Sequence, residues 1–382
     1  MQKRELIGLS ESAMAELFEA LRERPYRARQ LFQALYREGR RDFSRITTFP
    51  ARLRQRLGEE FQATLPRIEK KFVSTDGTSR YLLRLADGKE VETVLMPERD
   101  RDTLCISTQA GCAVDCKFCL TGVLGFQRNL DPGEIVGQVL LLIEQHKLQN
   151  EQRRDPDTEA AGAEAEVAAA KKDDKRRVNL VFMGMGEPLL NYANVVAAVK
   201  LLSDPQGMAL SLVHMTLSTS GIVPGIEKLG AEAIRPRLAI SLNATTDEVR
   251  DRIMPINRKW PIAELLRACR EFPLHPRERL TFEYVLLDGV NDTPEDAARL
   301  GKLLGKISAK VNLIGLNPGA ELPFRTPPDE RILRFQQTVI RSGVPAFIRK
   351  PRGRDIFAAC GQLKLADTAA VEHLRSAETV RG

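Results

Sequence analysis

Cys112, Cys116 and Cys119 stand at C-x3-C-x2-C spacing in GCAVDCKFC, and three thiols on so short a loop make a metal site. Three protein ligands rather than four leave one coordination position open. That suits a [4Fe–4S] cluster whose remaining iron binds something other than protein. The competing reading is a four-cysteine zinc site completed by Cys105 or Cys360. His146, His214, His275 and His373 have no metal-ligand spacing between them, so metal chemistry falls to cysteine. A second chemical signal is Met183-Gly184-Met185-Gly186-Glu187-Pro188. Its glycines let backbone approach a ligand closely, and Glu187 offers a carboxylate to an ammonium group. Cys105, in TLCISTQ, shares a strand face with Ser107, while Cys360 lies in the basic tail RKPRGRDIFAACGQL with a glycine behind it. A lone cysteine is by default a small buried hydrophobe, and that is the reading for Cys269 on the apolar face of PIAELLRACREF.

These residues need a frame. From about residue 98 the chain repeats strand then helix through TLCISTQ, VNLVFMGMG, HMTLSTSG, RLAISLNAT, LTFEYVLLDG and KVNLIGLNP. Six such units predict a parallel α/β architecture, a barrel or a doubly wound sheet. In a barrel Cys105 and Ser107 face inward. Polar residues at strand ends (Glu187, Ser218, Ser241, Asn243, Asn317) favour a site at the C-terminal rim. Residues 10–60 read as short helices with arginines around apolar stripes. From Lys71 to Pro97 the period falls to two, with Asp76-Gly77 and Asp87-Gly88 as turns, which predicts three antiparallel strands acting as a connector. Taken alone, Glu90 and Glu92 there read as a solvated strand face. Residues 151–177, with 15 of 27 charged, cannot bury a core and read as a solvated insertion.

A chain of 382 residues predicts two or three domains. Six cysteines are too few for a disulfide scaffold, and no apolar stretch approaches the roughly 20 residues of a membrane span. The start, MQKRELIGLSESAMAELFEA, lacks a signal-peptide core, so the expectation is a soluble protein with reduced or metal-bound thiols. Net charge is +7, and residues 1–71 carry 16 Lys/Arg against 10 Asp/Glu. An acidic partner follows, nucleic acid being the natural one; the alternative is a merely solvated basic surface.

The cysteine triplet after the first barrel strand and the Gly-Glu-Pro after the second resemble the radical S-adenosylmethionine superfamily, in which the open iron chelates the amino and carboxylate groups of that nucleoside. TLCISTQAGCAVDCKFC, VFMGMGEPLLN, LSTSGIVPGI, AISLNA, RDRIMPINRK, FEYVLLDGVND, NLIGLNP and RKPRGRDIFAACGQL together look like the RlmN family, RNA methyltransferases that modify adenosine at C2. The likeness covers almost the whole chain apart from 151–177 and the extreme C-terminus. It implies an RNA-binding helical domain over 1–71, a β connector over 72–97, a partial (β/α)6 barrel over 98–350, and a C-terminal segment, 351–382, carrying a methyl-accepting cysteine. It also implies two S-adenosylmethionine per turnover, 23S ribosomal RNA near the peptidyl transferase centre and tRNA 3′ to the anticodon as substrates, an external electron donor such as flavodoxin or ferredoxin, no membrane partner, and a cytoplasmic location.

Adenine C2 is electron-poor and no nucleophile, so polar methyl transfer to it would be very slow. By the resemblance, Cys360 takes a methyl from one S-adenosylmethionine by displacement and becomes S-methylcysteine. A second is cleaved reductively at the cluster held by Cys112, Cys116 and Cys119, and the 5′-deoxyadenosyl radical abstracts hydrogen from the Cys360 methyl. The carbon radical adds to adenine, Glu92 is the implied proton acceptor, and Cys105 resolves the protein–RNA adduct by forming a disulfide with Cys360. Gly186, Glu187, Ser218, Ser241, Leu242, Asn243 and Asn317 match the family's S-adenosylmethionine site. Two positions depart from it. Asn243 replaces a histidine and so cannot titrate, and Leu316 replaces a common tryptophan. Two rival readings stand beside this one, a related adenosine C8 methyltransferase of the antibiotic-resistance type and a non-catalytic zinc-stabilised RNA-binding protein.

Overall fold

In the N-terminal segment, apolar residues recur every three or four positions, and each such stripe becomes a buried helix face. A computed structural model of the chain describes residues 3–98, 100–152, 177–317 and 322–363. Helix α1 (Glu11–Ala20) is capped by Ser10, whose side chain accepts from the Ala13 N–H, and buries Met14, Leu17 and Phe18. Helix α2 (Tyr26–Tyr36) buries Leu31, Phe32 and Leu35, and α3 (Ala51–Glu60) buries Leu53 and Leu57. Strand β1 (Arg4–Glu5) pairs in parallel with β2 (Phe61–Gln62), closing the module. Its apolar residues join one core continuous with that of the rest of the chain.

Next come β3 (Arg67–Val73), β4 (Ser79–Arg84) and β5 (Glu90–Pro97), the antiparallel strands expected between residues 71 and 97. They do more than connect. β5 pairs antiparallel with β6 (Arg101–Cys105), the first strand of the βα series, setting Val94 beside Cys105. A short ribbon, β7 (Gln109–Gly111) with β8 (Phe126–Asn129), brackets the cysteine loop. Then follow β9 (Arg177–Phe182), β10 (Met215–Thr219), β11 (Arg237–Ser241), β12 (Leu280–Leu286), β13 (Ala309–Gly315) and β14 (Ala346–Ile348). One ten-stranded sheet results, ordered β3-β4-β5-β6-β9-β10-β11-β12-β13-β14 and parallel from β6 onward. The six expected parallel strands are all present and adjacent in chain order; β14 is a seventh. Because β3 and β14 do not pair, the curved sheet stays open at one side.

Alternation along β12 sorts its two faces. Leu280, Phe282, Tyr284 and Leu286 are fully buried on the outer face, beneath helices such as Pro294–Leu304 and Asp329–Arg341, while Thr281, Glu283 and Val285 are half-buried on the inner one. In β13 the same rhythm buries Val311 and Leu313 and leaves Lys310 and Asn312 half-buried. Of the charged insertion expected over 151–177, residues 153–176 lie outside the described residues. No described helix is long and apolar enough to cross a membrane.

Candidate active site

At the C-terminal rim of the inner face lies a cavity open to solvent, about 930 Å³ with its mouth included. The cysteine loop forms one wall. Cys112 N–H donates to Gly125 O and Cys119 N–H to Cys116 O, which folds Cys112, Cys116 and Cys119 around one space. Burial and the neighbouring thiols push Cys116 well up, and burial pushes Cys112 up to about 12. They are therefore thiols until cations arrive, and binding releases protons. Among the described residues no three His, Cys, Asp or Glu side chains converge as on a single ion. A four-iron cluster takes one thiolate per iron and needs three thiols spaced around a cavity, which this loop supplies.

The opposite wall is the turn after β9. Gly186 has φ +100°, and a Cβ there would lie 2.5 Å from Gln109 Cβ; a Cβ on Gly184 would lie 2.7 Å from the Ile106 carbonyl. Both positions thus admit only glycine, and the backbone comes up to the cavity bare. Glu187 follows, buried. Its carboxylate accepts from Leu189 N–H at 3.0 Å, Ser220 N–H at 2.7 Å and Ser220 Oγ at 2.8 Å, while burial, the largest influence, holds its affinity for a proton above the ordinary glutamate value. Ser218 and Ser241 line the cavity from β10 and β11. Asn317 lines it from beyond β13, with Nδ2 on Cys360 O at 3.3 Å and Oδ1 buried without a partner. An orphaned acceptor facing a cavity suits a ligand's N–H or O–H donor.

Asn243 also reaches the cavity, but its side chain is engaged. It sits at φ +57°, accepts from Val285 N–H at 2.8 Å and donates to Met254 Sδ at 3.2 Å. Leu242 does not reach the cavity with its side chain, because alternation turns it into the core; its N–H donates to Glu283 O.

Cys360 arrives on a strap fixed at both ends. Arg352 donates to Asp76 Oδ2, Asp76 O and Pro97 O, Gly353 N–H to Asp76 Oδ2, and Ser74 Oγ to Asp355. Downstream, Leu120 N–H donates to Gly361 O at 2.8 Å and Thr121 Oγ1 to Leu363 O at 2.7 Å, stitching the strap to the cysteine loop. Gly353, Phe357 and Gly361 all have positive φ, a sharp path for which Phe357 carries strain. Cys360 faces the cavity together with the three loop cysteines, and its surroundings, followed by the charge of Glu283, push its thiol up to about 12. Cys105 is buried on the inner face, and its thiol is pushed up by burial first and by the charge of Cys360 second. All six cysteines are free, and Cys269 is core, as its helix face predicted.

Glu92 is not on a solvated face. β5 lies between β4 and β6, so the residue is fully buried, on the same sheet face as Val94 and Cys105, and its carboxylate is ion-paired with Arg80. It does not line the cavity wall. Sequence reasoning missed three residues here. Glu283 lines the cavity beside Cys360, and its only sequence signal is a carboxylate among the apolar residues of FEYVLL. Arg250, within the quoted RDRIMPINRK, is fully buried and bonds the carbonyls of Ser220, Ser241 and Leu242. Arg80 is the partner of Glu92.

The radical SAM superfamily model matches residues 106–301, and the ribosomal RNA large subunit methyltransferase N-terminal domain model matches 4–63. The chain is 50% identical over 362 residues to a probable dual-specificity RNA methyltransferase RlmN of Koribacter versatilis, covering 91% of this chain and 97% of the relative. It is 45% identical to the RlmN of Anaeromyxobacter dehalogenans over 99% of this chain and 96% of that protein. A crystal structure of a radical SAM methyltransferase from Sphaerobacter thermophilus superposes with TM-score 0.84 at 40% identity, covering 94% of this chain and 99% of the other. These likenesses fit a loop built for a [4Fe–4S] cluster and a glycine-walled cavity for S-adenosylmethionine, and the chain belongs to the RlmN family of radical SAM RNA methyltransferases.

Proposed function

We propose that the enzyme methylates C2 of an adenosine in 23S rRNA and of the adenosine 3′ to the anticodon in tRNA, by way of an S-methylated Cys360. The observation that carries this reading is the placement of Cys360 on the cavity that the three loop cysteines share, near enough to Cys105 that a thiolate at Cys360 would make Cys105 hold its proton more tightly. The cluster, held by Cys112, Cys116 and Cys119, supplies reductive cleavage of bound S-adenosylmethionine. Glu187 and Asn317 hold the polar ends of that ligand, and the bare backbone at Gly184 and Gly186 lets it lie close. Cys360, a thiol at neutral pH, gives up its proton as it takes the first methyl. Once its methylene carbon is bonded to the adenine, the odd-electron adduct loses one electron to the oxidised cluster, and Glu92, held in place by its ion pair with Arg80, accepts the C2 proton. Cys105 then gives up its proton and attacks Cys360 sulfur, closing a disulfide as the S–C bond breaks. The electron pair of that bond leaves with the methylene carbon, which takes a proton to become the methyl of the freed base. An external thiol or dithiol reductant reopens the disulfide. An electron donor of the flavodoxin or ferredoxin kind serves the cluster, in the cytoplasm where the RNA is.

The test is mass spectrometry of Cys105→Ala purified with cellular RNA. The expected result is an RNA fragment bound through Cys360; a variant with normal iron content and no adduct would overturn the two-cysteine route. Nucleoside analysis of RNA treated with the wild-type enzyme should give 2-methyladenosine, and 8-methyladenosine would instead assign the C8 reaction.

A further inference from the structure

The inner face of the sheet continues below the cavity. Register sets Ser241 beside Glu283 beside Asn312, and one step toward the strand N-termini sets Ala239 beside Thr281 beside Lys310. Two residues lower on the same faces stand Arg237, at the start of β11, and Arg279, just before β12. Arg349, whose N–H bonds Leu313 O at 2.8 Å, brings a fourth cation from beyond β14; its charge bears on Glu283, Cys360 and Lys310. Among the described residues, none of the four is ion-paired with a carboxylate. Other arginines are: Arg128 holds Glu134 and Asp87, and Arg331 holds Asp288 and Asp292.

Lys310 is half-buried, and burial, then Arg237, Arg349 and Arg279, hold it below the usual lysine range. Arg349 feels the buried carboxylate of Glu283, but none of the four cations is ion-paired among the described residues. Like charges so placed raise the free energy of the empty protein and lower it when an anion arrives. Arg237 and Arg279 are exposed at the N-terminal ends of β11 and β12, and Arg349 is exposed just past the edge strand β14. The rise from Lys310 to the level of Asn312 and Glu283 is about 7 Å along the strand, a span that a flexible single strand crosses within a nucleotide or two.

We propose that Arg237, Arg279, Lys310 and Arg349 hold the sugar–phosphate strand next to the target adenosine, so that RNA lies along the inner face from the N-terminal ends of β11 and β12 and turns its unstacked base up toward Cys360. The proposal rests on the RNA-methyltransferase reading above and adds the surface that steers the strand. A base must leave its stack to enter such a cavity, and phosphate contacts beside it supply register without reading sequence.

The experiment is fluorescence anisotropy of a labelled stem–loop RNA with an unpaired loop adenosine, titrated with the full-length protein over a salt series. Arg237→Gln and Lys310→Gln should each weaken binding about 3- to 10-fold and lower the slope of log K against log salt by about 0.7 to 0.9. Arg237→Lys and Lys310→Arg should keep the wild-type slope, as should Arg267→Gln on the outer surface. Melting curves establish that each variant is folded. Wild-type binding with unchanged slopes in both Gln variants overturns the proposal alone, whereas no RNA binding by the wild type overturns the RNA reading and this proposal with it. Complete displacement of the RNA by inorganic phosphate at matched ionic strength would mark a small-anion pocket and also overturn the strand assignment.

Discussion

Arg250 and Arg80 are both fully buried near the cavity, yet they use their nitrogens differently. Arg250 donates Nε to Leu242 O at 2.9 Å, Nη1 to Asn257 Oδ1 at 3.0 Å, and Nη2 to Ser220 O at 2.7 Å and Ser241 O at 3.1 Å. Burial brings its pKa down to about 10, against the upward pull of Cys116. Arg80 makes one ion-paired hydrogen bond, to Glu92, stacks 4.2 Å over the Phe72 ring, and leaves Nε and Nη2 without a partner. A buried cation with a partner at every nitrogen fastens strand ends together. One with donors to spare beside a carboxylate suits the proposed step in which Glu92 takes up a proton.

Breaking Arg250 gives the largest expected effect. Arg250→Met strands several carbonyls and should cost about 3–5 kcal/mol of stability, read by urea denaturation; a loss below about 1 kcal/mol would erase the distinction between the two arginines. Glu92→Gln should leave the fold within about 1–3 kcal/mol of wild type. In single-turnover assays it should slow release of methylated RNA about 10²- to 10⁴-fold, with the adduct accumulating. Wild-type kinetics in that variant would remove Glu92 from the reaction.

Arg80→Met with Glu92→Leu sharpens the contrast. Replacing both members of a buried pair by apolar side chains should leave stability within about 1 kcal/mol of wild type or above it, while RNA release stays as slow as in Glu92→Gln. Asn243→His should cost about 1 kcal/mol at pH 8, where a neutral ring still accepts from Val285 N–H. The cost should grow at pH 5, since imidazolium cannot accept; equal stabilities at the two pH values would show that the contact does not matter.

The smallest effect concerns Asp76. Burial would raise its pKa, but hydrogen bonds from Thr78 and Gly353 outweigh that and bring it down to about 2. A depressed carboxylate stabilises the fold above its unfolded value and loses that contribution as pH falls toward 2. Asp76→Asn should therefore flatten the acid limb of the stability curve between pH 4 and 2, and an unchanged limb would discount the Asp76 tie.

The parallel strands were legible because each couples an apolar run to a polar terminus, as RLAISLNAT does. β14 was not: Ala346–Ile348 is three residues long, too short for a period to show. The loop cysteines, Gly186, Glu187, Ser218, Ser241, Asn243, Asn317 and Cys360 all reach one cavity. Their spacing and strand-end positions are local properties, and sequence carries local properties well. Glu92 looked solvated because periodicity reports which strand a residue is on and says nothing of the strand paired beyond it. Arg250, Glu283 and Arg80 act through partners set by the fold, and no local pattern announces them.

The strap that carries Cys360 also sets an order in time. A chain built from its N-terminus can form the cysteine loop and most of the sheet before residues 349–363 exist, and those residues are held by Ser74, Asp76, Leu120 and Thr121, all made long before. On the proposed route, a nascent or prematurely ended chain would have the cysteine loop but lack the sulfur of Cys360. Synthesis order therefore supplies the proposed methyl acceptor last.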